Sequence, residues 1–293
     1  MFKLLVSNRK GGSAKTTTAV NLAGEFAQQG KRCLLIDLDP QAHAGMGLGY
    51  QPLQNDACPQ NLLENGRQSL ASLLFETRID NLFYLPPGER RNKPMDATRL
   101  YKFLCRKQLA ETFEIVVIDT PPNAGIEQTA ALKSADAVVI PFMPTPLGKA
   151  GVQQMTADIS QLKTFHGKRL PYALIPIMLD TRVRLDNQVL SDLIAIHGLE
   201  RILRGIRRNV KVAEAFEAGC PVRHYDGRSQ GAFDYHMLSQ DMLALWPGLF
   251  PLQDSLSLRK PAARVIPVNR QALEENLRHR GIRLKDKCQQ WNG

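Results

Sequence analysis

Six short apolar runs limit the folds open to this chain. Each run is six to eight residues long and apolar nearly throughout, and helical patterns separate the runs. Strands look like this when both of their faces are covered, as in a mainly parallel sheet with helices on both sides. We therefore predict one large α/β domain. The predicted strands cover residues 3–8, 32–39, 81–86, 114–120, 136–142 and 172–179.

The first predicted helix, residues 16–29, starts directly after a glycine-rich stretch. Val20, Ala23 and Phe26 lie at helical spacing, and Gly30 follows as a stop signal. The stretch before the helix reads SNRKGGSAKTTTA (residues 7–19). A strand, a glycine-rich turn and a helix N-terminus together form a phosphate-binding loop. By itself such a loop could also be an ordinary strand–turn–helix junction.

Residues 10–17 supply the candidate nucleotide ligands. The glycine pair lets backbone N–H groups approach a phosphate, Lys15 is expected to reach its β and γ oxygens, and Thr16 is expected to bind Mg²⁺. The standard pattern G-x-x-x-x-G-K-[ST] is broken, because Arg9 and Ala14 replace its two glycines. The predicted set is Lys10, Gly11, Gly12, Ser13, Ala14, Lys15, Thr16 and Thr17.

Two acidic motifs follow on other predicted strands. LLIDLDPQA contains Asp39, and IVVIDTPPN contains Asp119. Ligand chemistry in open α/β sheets is located at the carboxyl ends of strands. We expect Asp119 to hold Mg²⁺ through a water and Asp39 to orient the attacking water. Three motifs in this order favour a P-loop NTPase over isolated capping aspartates.

These motifs resemble the ParA/Soj branch of the ParA/MinD ATPases over roughly residues 1–250. The matching stretches include KGGSAKTTTAVNLAGEFAQQGKRCLLIDLDPQAHA, FEIVVIDTPPNAG, ADAVVIPFMPTPLGKAGV and RRNVKVAEAFEAGCPVRHYDGRSQGAFDY. The resemblance implies an ATPase that uses ATP and Mg²⁺ and hydrolyses ATP slowly until a partner stimulates it.

The resemblance also assigns individual residues. Lys10 falls on the family's signature lysine and is expected to act catalytically in trans, beside Lys15 and Asp39, in an ATP-sandwiched homodimer. Asn209, in IRRN where relatives often read IPRN, is expected to face the adenine. Relatives usually have glycine at Ala14, so a left-handed backbone there would cost on the order of 1 kcal/mol and slow turnover.

A formal net charge of +10 favours a polyanionic partner. The resemblance implies that Arg182 and Lys211 contact DNA without reading its sequence, whereas composition alone allows a solvated basic face. No aromatic stacking pattern accompanies the basic residues, so phosphate contacts should dominate. The predicted DNA-binding residues are Arg182, Arg184, Arg204, Arg207, Arg208 and Lys211.

Two other classes remain open. A MinD-like membrane-associated ATPase needs a C-terminal amphipathic helix, but QALEENLRHRGIRL has few apolar residues and is interrupted by Gly281. ATP-driven reductases and metal-loading proteins need paired cysteine ligands, and the five cysteines are single and scattered. The cargo could be a plasmid or chromosome bound through a ParB-like protein, or a protein assembly such as a carboxysome bound through a small adaptor.

The remaining features concern location and domain limits. Scattered cysteines, a short N-terminus and no apolar run of about 18 residues predict a cytoplasmic protein without a membrane span, and the resemblance places it on the nucleoid. Residues 51–80 are predicted to form a surface insertion with one helix near SLASLLFE. We divide the chain into an ATPase domain, 1–255, and a basic tail, 256–293, with nine Lys/Arg against three acids.

Overall fold

The computed structural model describes residues 1–50, 74–87, 97–122, 125–162, 169–248 and 264–265. In these residues, nine strands form one sheet. The strands are β1 (Phe2–Val6), β2 (Cys33–Asp37), β3 (Phe75–Glu76), β4 (Leu82–Leu85), β5 (Ile115–Asp119), β6 (Ala137–Phe142), β7 (Tyr172–Leu179), β8 (Ile206–Arg207) and β9 (Arg264–Val265). Their order is β8-β7-β6-β1-β5-β2-β4-β3-β9. Only the pair β3 and β4 is antiparallel among the described strands.

Helices cover both faces of this sheet. They are α1 (Lys15–Gln28), α2 (His43–Met46), α3 (Ala97–Leu104), α4 (Lys107–Thr112), α5 (Ile126–Ser134), α6 (Pro146–Gln161), α7 (Arg184–His197), α8 (Val210–Glu217), α9 (Val222–Tyr225) and α10 (Gln230–Leu245), with a short 3₁₀ helix at Leu199–Arg201. The helix predicted at 16–29 is confirmed as α1, shifted by one residue. No described helix is long and apolar enough to cross a membrane.

Two hydrophobic clusters, one on each side of the sheet, explain why the strands are apolar throughout. Successive residues of a strand point to opposite faces. In β1, Leu4 packs in one cluster and Leu5 in the other, and both are fully buried. The predicted mainly parallel sheet with helices on both faces is therefore confirmed.

All six predicted strands are present, and the structure adds a short strand at the end of the predicted insertion. Phe75–Glu76, the last two residues of SLASLLFE, form β3. Phe75 pairs with Tyr84 across the antiparallel ladder and packs edge-on against Tyr50 at 4.8 Å between ring centroids. Residues 51–73 of the predicted insertion lie outside the described residues, so the helix predicted near SLASLLFE stays a prediction.

The two described residues of the C-terminal tail join the edge of the sheet. Arg264–Val265 forms β9 and pairs in parallel with β3, so two tail residues extend the sheet edge. Residues 249–263 and 266–293, including the amphipathic segment considered above, lie outside the described residues. The domain boundary at residue 255 stays a prediction.

Candidate nucleotide-binding site

The first half of the phosphate loop is fixed by neighbouring strands and helices. β1 ends at Val6, and the next residue, Ser7, is fully buried. Its hydroxyl oxygen accepts hydrogen bonds from Thr120 Oγ1 and Gln128 Nε2, each at 3.0 Å. Thr120 directly follows β5 and Gln128 lies on α5. The loop therefore leaves the sheet in one direction, toward the carboxyl ends of the strands.

Asn8 turns the loop toward helix α6. Its Nδ2 donates to the carbonyl of Pro141 on β6 at 2.8 Å, and its Oδ1 accepts from the backbone N–H of Lys10 at 3.0 Å. Gly151 of α6 lies against this turn, and a Cβ there would come within 2.8 Å of Asn8 Oδ1 and 3.1 Å of the Lys10 Cβ. Only a glycine lets α6 approach the loop this closely.

Arg9 provides a second link between the loop and α6. Its guanidinium donates from Nε to Oδ2 of Asp158 at 2.5 Å and from the NH2 group to Oδ1 at 2.6 Å. Arg9, which forms this bidentate ion pair, stands at the position of the first glycine in the standard loop pattern. The side chain of Arg9 is thus held away from the crest of the loop.

The crest of the loop is open backbone. Gly11 and Gly12 are exposed, and Gly12 has φ +72°, a conformation that favours glycine. Nothing lies within 4 Å of a Cβ built on Gly12. With helix α1 starting three residues later, this geometry suits an anion that accepts backbone N–H hydrogen bonds.

Ala14 has the left-handed backbone conformation expected at a position where relatives usually have glycine. Its φ of 58° and ψ of 31° are left-handed, although the residue carries a Cβ. Ala14 is the N-cap of α1, and its carbonyl accepts from Thr18 N at 2.9 Å. The helix start is therefore normal in hydrogen bonding, with local backbone strain on the order of 1 kcal/mol.

The two lysines of the loop lie in different environments. Lys15 is only 6% exposed, and its Nζ donates to the carbonyl of Lys10 at 3.2 Å. Burial lowers the pKa of Lys15, and the negative charges of Asp119 and Asp39 oppose that shift. Lys10 is exposed, and its ammonium has no ion pair among the described residues. The Lys15 ammonium therefore lies inside the phosphate loop of its own chain, whereas the Lys10 ammonium is exposed to solvent.

Asp37 and Asp119 end adjacent parallel strands at the same level. Asp37 on β2 pairs in register with Asp119 on β5, and both are buried. Neither oxygen of Asp119 receives a hydrogen bond of normal geometry from the described residues. Burial raises the pKa of Asp119 to about 7, and the nearby Thr16 hydroxyl and Lys15 ammonium oppose that rise.

A buried carboxylate that accepts no hydrogen bond of normal geometry from the described residues, beside a threonine hydroxyl, fits a hard cation. Mg²⁺ prefers oxygen ligands and keeps several waters. The unsatisfied oxygens of Asp119 and the closeness of Thr16 are therefore consistent with the two residues that the sequence suggested for the metal.

Asp37 is the site residue that the sequence reading missed. Its Oδ1 accepts from Asp39 N at 2.8 Å, and its Oδ2 accepts from Ala44 N at 3.1 Å and Tyr84 Oη at 3.2 Å. Burial raises the pKa of Asp37 well above its usual value, and the charge of Asp119 adds to the rise. Asp37 holds the backbone of the loop that carries Asp39. Its place as the last residue of an apolar run was the available signal.

Asp39 lies beyond the end of β2, in a partly exposed turn. Its Oδ1 accepts from Gln41 N at 3.0 Å. Its charge acts on Lys15, so its carboxylate lies near the phosphate loop.

Asn209 is the N-cap of α8, and its side-chain oxygen accepts from Lys211 N at 2.8 Å. Its proposed contact with adenine stays a prediction.

Two of the predicted DNA-binding residues meet at one corner of the sheet. β7 and β8 pair in parallel with Leu179 opposite Arg207, so the following residues of both strands emerge side by side. Hydrogen bonds from Arg182, together with the nearby charge of Arg208, lower the pKa of Asp180 to about 2. Arg182 and Arg208 are therefore brought together at this corner of the sheet.

Acidic neighbours already pair with most of these cations. Arg204 pairs with Asp241 of α10, and Arg207 pairs with Asp234 of the same helix. The two aspartates are seven residues apart, which is about 10 Å along the helix axis. Arg204 thus pairs with α10 about two helical turns beyond the point where Arg207 does. Arg184 and Arg208 have no ion pair among the described residues. The four paired cations and their partners are Arg182 with Asp180, Arg204 with Asp241, Arg207 with Asp234, and Lys211 with Glu214.

Comparison with known proteins agrees with this arrangement. A family model described as an AAA domain matches residues 1–171. The chromosome partitioning protein ParA of Myxococcus xanthus is 30% identical over 249 residues, which cover 82% of this chain and 87% of that protein. The chain belongs to the ParA/Soj family of ATPases. The sporulation initiation inhibitor Soj of Bacillus subtilis is 29% identical over 248 residues, which cover 82% of this chain and 98% of Soj.

Solved structures extend the family likeness to the fold. An ATP complex of a Cyanothece McdA variant superposes with a TM-score of 0.70 at 20% identity and covers 87% of this chain and 99% of that one. The septum site-determining protein MinD of Pyrococcus horikoshii, complexed with Mg-ADP, gives 0.68 at 19% identity and covers 86% and 99%. The ParA/MinD fold predicted from the sequence is thereby confirmed.

Proposed function

We propose that this chain is a positioning ATPase that ATP converts into a DNA-binding homodimer. The observation that carries the proposal is the site at the carboxyl edge of β1, β2 and β5. An open glycine crest and a buried lysine meet there with a buried carboxylate that accepts no hydrogen bond of normal geometry from the described residues. Membership of the ParA/Soj family supports the class of reaction, which is hydrolysis of ATP to ADP and phosphate.

Each residue of the site has a separate task in this reaction. Gly11 and Gly12 bind phosphate oxygens through backbone N–H groups, and Lys15 neutralises charge on the β and γ phosphates. Thr16 and Asp119 would hold Mg²⁺, which neutralises developing charge on the phosphates when bound. Asp39, whose loop is held by Asp37, orients the attacking water.

Lys10 explains why a second lysine is present. It is exposed at the edge of the loop and has no ion pair among the described residues. A single loop cannot easily direct both lysines at one phosphate, so we assign Lys10 to the nucleotide of a second subunit. ATP would then bridge two copies of the chain, and its hydrolysis would release them.

Non-specific DNA is the proposed partner of the dimer, and a ParB-like or small adaptor protein is the proposed activator. The unpaired cations Arg184 and Arg208 and the paired cation Arg182 support a phosphate-contacting surface. Such contacts read charge and not base sequence, so affinity should fall steeply with salt. The protein would then lie in the cytoplasm on the nucleoid.

A paired binding experiment tests this proposal. We expect the protein with ATP and Mg²⁺ to bind three unrelated DNA duplexes with similar affinity and the protein with ADP to bind all of them weakly. Pelleting with anionic vesicles is the matched control. Vesicle binding without DNA binding would replace the proposal with a MinD-like, membrane-associated function.

A further inference from the structure

The buried carboxylate of Asp234 on α10 holds Arg207, the last residue of β8. The guanidinium of Arg207 donates from its NH2 group to Oδ1 at 2.5 Å and from Nε to Oδ2 at 3.1 Å, and the backbone N–H of Arg207 donates to Oδ2 at 3.0 Å. Gln230 Nε2 adds a donor to Oδ1 at 3.0 Å. The side chain of Asp234 is only 2% exposed.

A second pair on the same helix shows what an ordinary surface contact looks like here. Arg204 donates a single hydrogen bond, from Nε to Asp241 Oδ2 at 3.2 Å. The Asp241 side chain is 31% exposed, against 2% for Asp234. A buried carboxylate that loses its cation is left uncompensated, whereas an exposed one is hydrated by water. Loss of Arg207 should therefore destabilise the fold more than loss of Arg204.

The loop after Arg207, residues 208–209, carries a residue proposed to contact DNA. Arg208 directly follows Arg207, is exposed, and acts electrostatically on Asp180 of the neighbouring β7–α7 connection. Asn209 has extended backbone angles, φ −149° and ψ 122°, and caps α8. Successive side chains alternate in extended backbone. Holding Arg207 against α10 thus directs Arg208 to the other side, toward Asp180.

We infer that Arg207 is a positioning residue and not a phosphate contact: its pair with Asp234 fixes the loop and presents Arg208 to DNA phosphates. The inference rests on the proposed DNA binding. A cation already neutralised by a buried carboxylate displaces few counterions from DNA, so it adds little to the salt dependence of binding. Arg208, which has no ion pair among the described residues, adds a full contact.

Salt titrations of DNA affinity with ATP present separate the two roles. Arg208→Ala should reduce the slope of log affinity against log salt by about 1. Arg207→Ala should leave the slope unchanged and lower affinity at every salt concentration by about fivefold, the cost of ordering a loosened segment on binding. Arg207→Lys keeps the charge but loses the planar fork, so it should behave like Arg207→Ala.

The opposite pattern would overturn the inference. If Arg207→Ala reduced the slope by about 1 and Arg207→Lys restored it, Arg207 would be a phosphate contact. If the unaltered protein bound no DNA, the proposed function and the role of Arg208 would both fall. The pair with Asp234 would then be judged by a measurement without DNA.

Thermal melting of single and double variants is that measurement. Arg207→Ala should lower Tm by about 3–6 °C because Asp234 is left buried without its cation. The double variant Arg207→Ala with Asp234→Ala should lose clearly less than the sum of the two single variants. Arg204→Ala is the matched control and should change Tm by less than about 1 °C. Equal Tm values of the Arg204 and Arg207 variants would contradict the positioning role of the Arg207–Asp234 pair.

Discussion

Single residues of the phosphate loop carry both its strain and its chemistry. Ala14 adopts a left-handed backbone immediately before Lys15, the most buried lysine of the loop. The sequence has alanine at position 14, where relatives usually have glycine. The structure shows that this residue has a positive φ, which is unfavourable for a residue with a Cβ. The burial of Lys15 and the exposure of Lys10 could not be read from a pattern, because both residues are simply lysines five positions apart.

Replacement of Ala14 by glycine should relieve the backbone strain. We expect Ala14→Gly to stabilise the protein by about 0.5–1 kcal/mol, or roughly 2 °C in Tm, because glycine adopts positive φ freely. Ala42→Gly is a matched variant, since Ala42 has φ 54° at the start of α2. Ala150→Gly, inside α6, should destabilise instead. Calorimetry that finds the same sign for all three would contradict this account.

The two lysines should respond differently to removal. Lys15→Ala should abolish ATP binding, because its buried ammonium is the cation that faces the loop's own phosphates. Lys10→Ala should retain ATP binding but lose turnover or stable dimer, because we propose that Lys10 acts on the nucleotide of a second subunit. Titration with a fluorescent ATP analogue and phosphate release measure the two effects, with the exposed Lys133→Ala as control. Equal loss of nucleotide affinity in both variants would refute the division.

Whole elements were predicted more securely than their contacts. The apolar runs identified six strands because burial on both faces leaves a pattern in consecutive residues. β3 escaped detection because two residues carry too little pattern and the strand depends on pairing with Tyr84. The ion pair of Arg207 with Asp234 joins residues 27 positions apart, so no local spacing could reveal it.

Helix α6 should be sensitive to the smallest enlargement where it meets the phosphate loop. Gly151→Ala places a Cβ 2.8 Å from Asn8 Oδ1, so either the helix or the loop must shift. Overpacking of this kind costs about 1–3 kcal/mol. We expect ATP affinity, measured by calorimetric titration, to fall at least threefold, while Gln154→Ala on the exposed face of α6 leaves it unchanged. Unchanged affinity in Gly151→Ala would show that this contact does not shape the loop.

The contact between α1 and α10 should make stability depend on pH. Glu25 is 1% exposed; its Oε2 lies 3.0 Å from His236 Nδ1, and its Oε1 has no hydrogen-bond partner among the described residues. Burial raises the pKa of Glu25, and the hydrogen bond to His236 and the charge of Arg223 oppose the rise. An acid with a raised folded pKa costs nothing below its unfolded pKa and destabilises the fold as it ionises.

Glu25→Gln should therefore stabilise the protein only where Glu25 is ionised. The gain in Tm over the unaltered protein should be near zero at pH 4 and should grow as the pH rises through the raised pKa of Glu25. Glu200→Gln, at an exposed position, serves as the control and should show no such trend. A gain that shrinks with rising pH would mean that the carboxylate is stabilised by its neighbours.

At the scale of the whole molecule, the sheet order determines where chemistry can occur. β1 lies between β5 and β6, so the loop after β1 opens between strands whose connections run to different parts of the chain. Such switch points are where ligands bind in open α/β sheets. The sequence predicted this edge from three motifs. It could not predict that four of the six basic residues proposed to contact DNA are already paired with acids.

Sedimentation velocity with labelled, non-specific DNA tests the central claim most directly. With ADP we expect a 32.7 kDa monomer that sediments apart from the DNA. With ATP and Mg²⁺ we expect a species of about twice that mass that sediments with the DNA at low salt and leaves it as salt is raised. A monomer in both nucleotide states, or equal DNA binding in both, would contradict an ATP-driven, DNA-binding dimer.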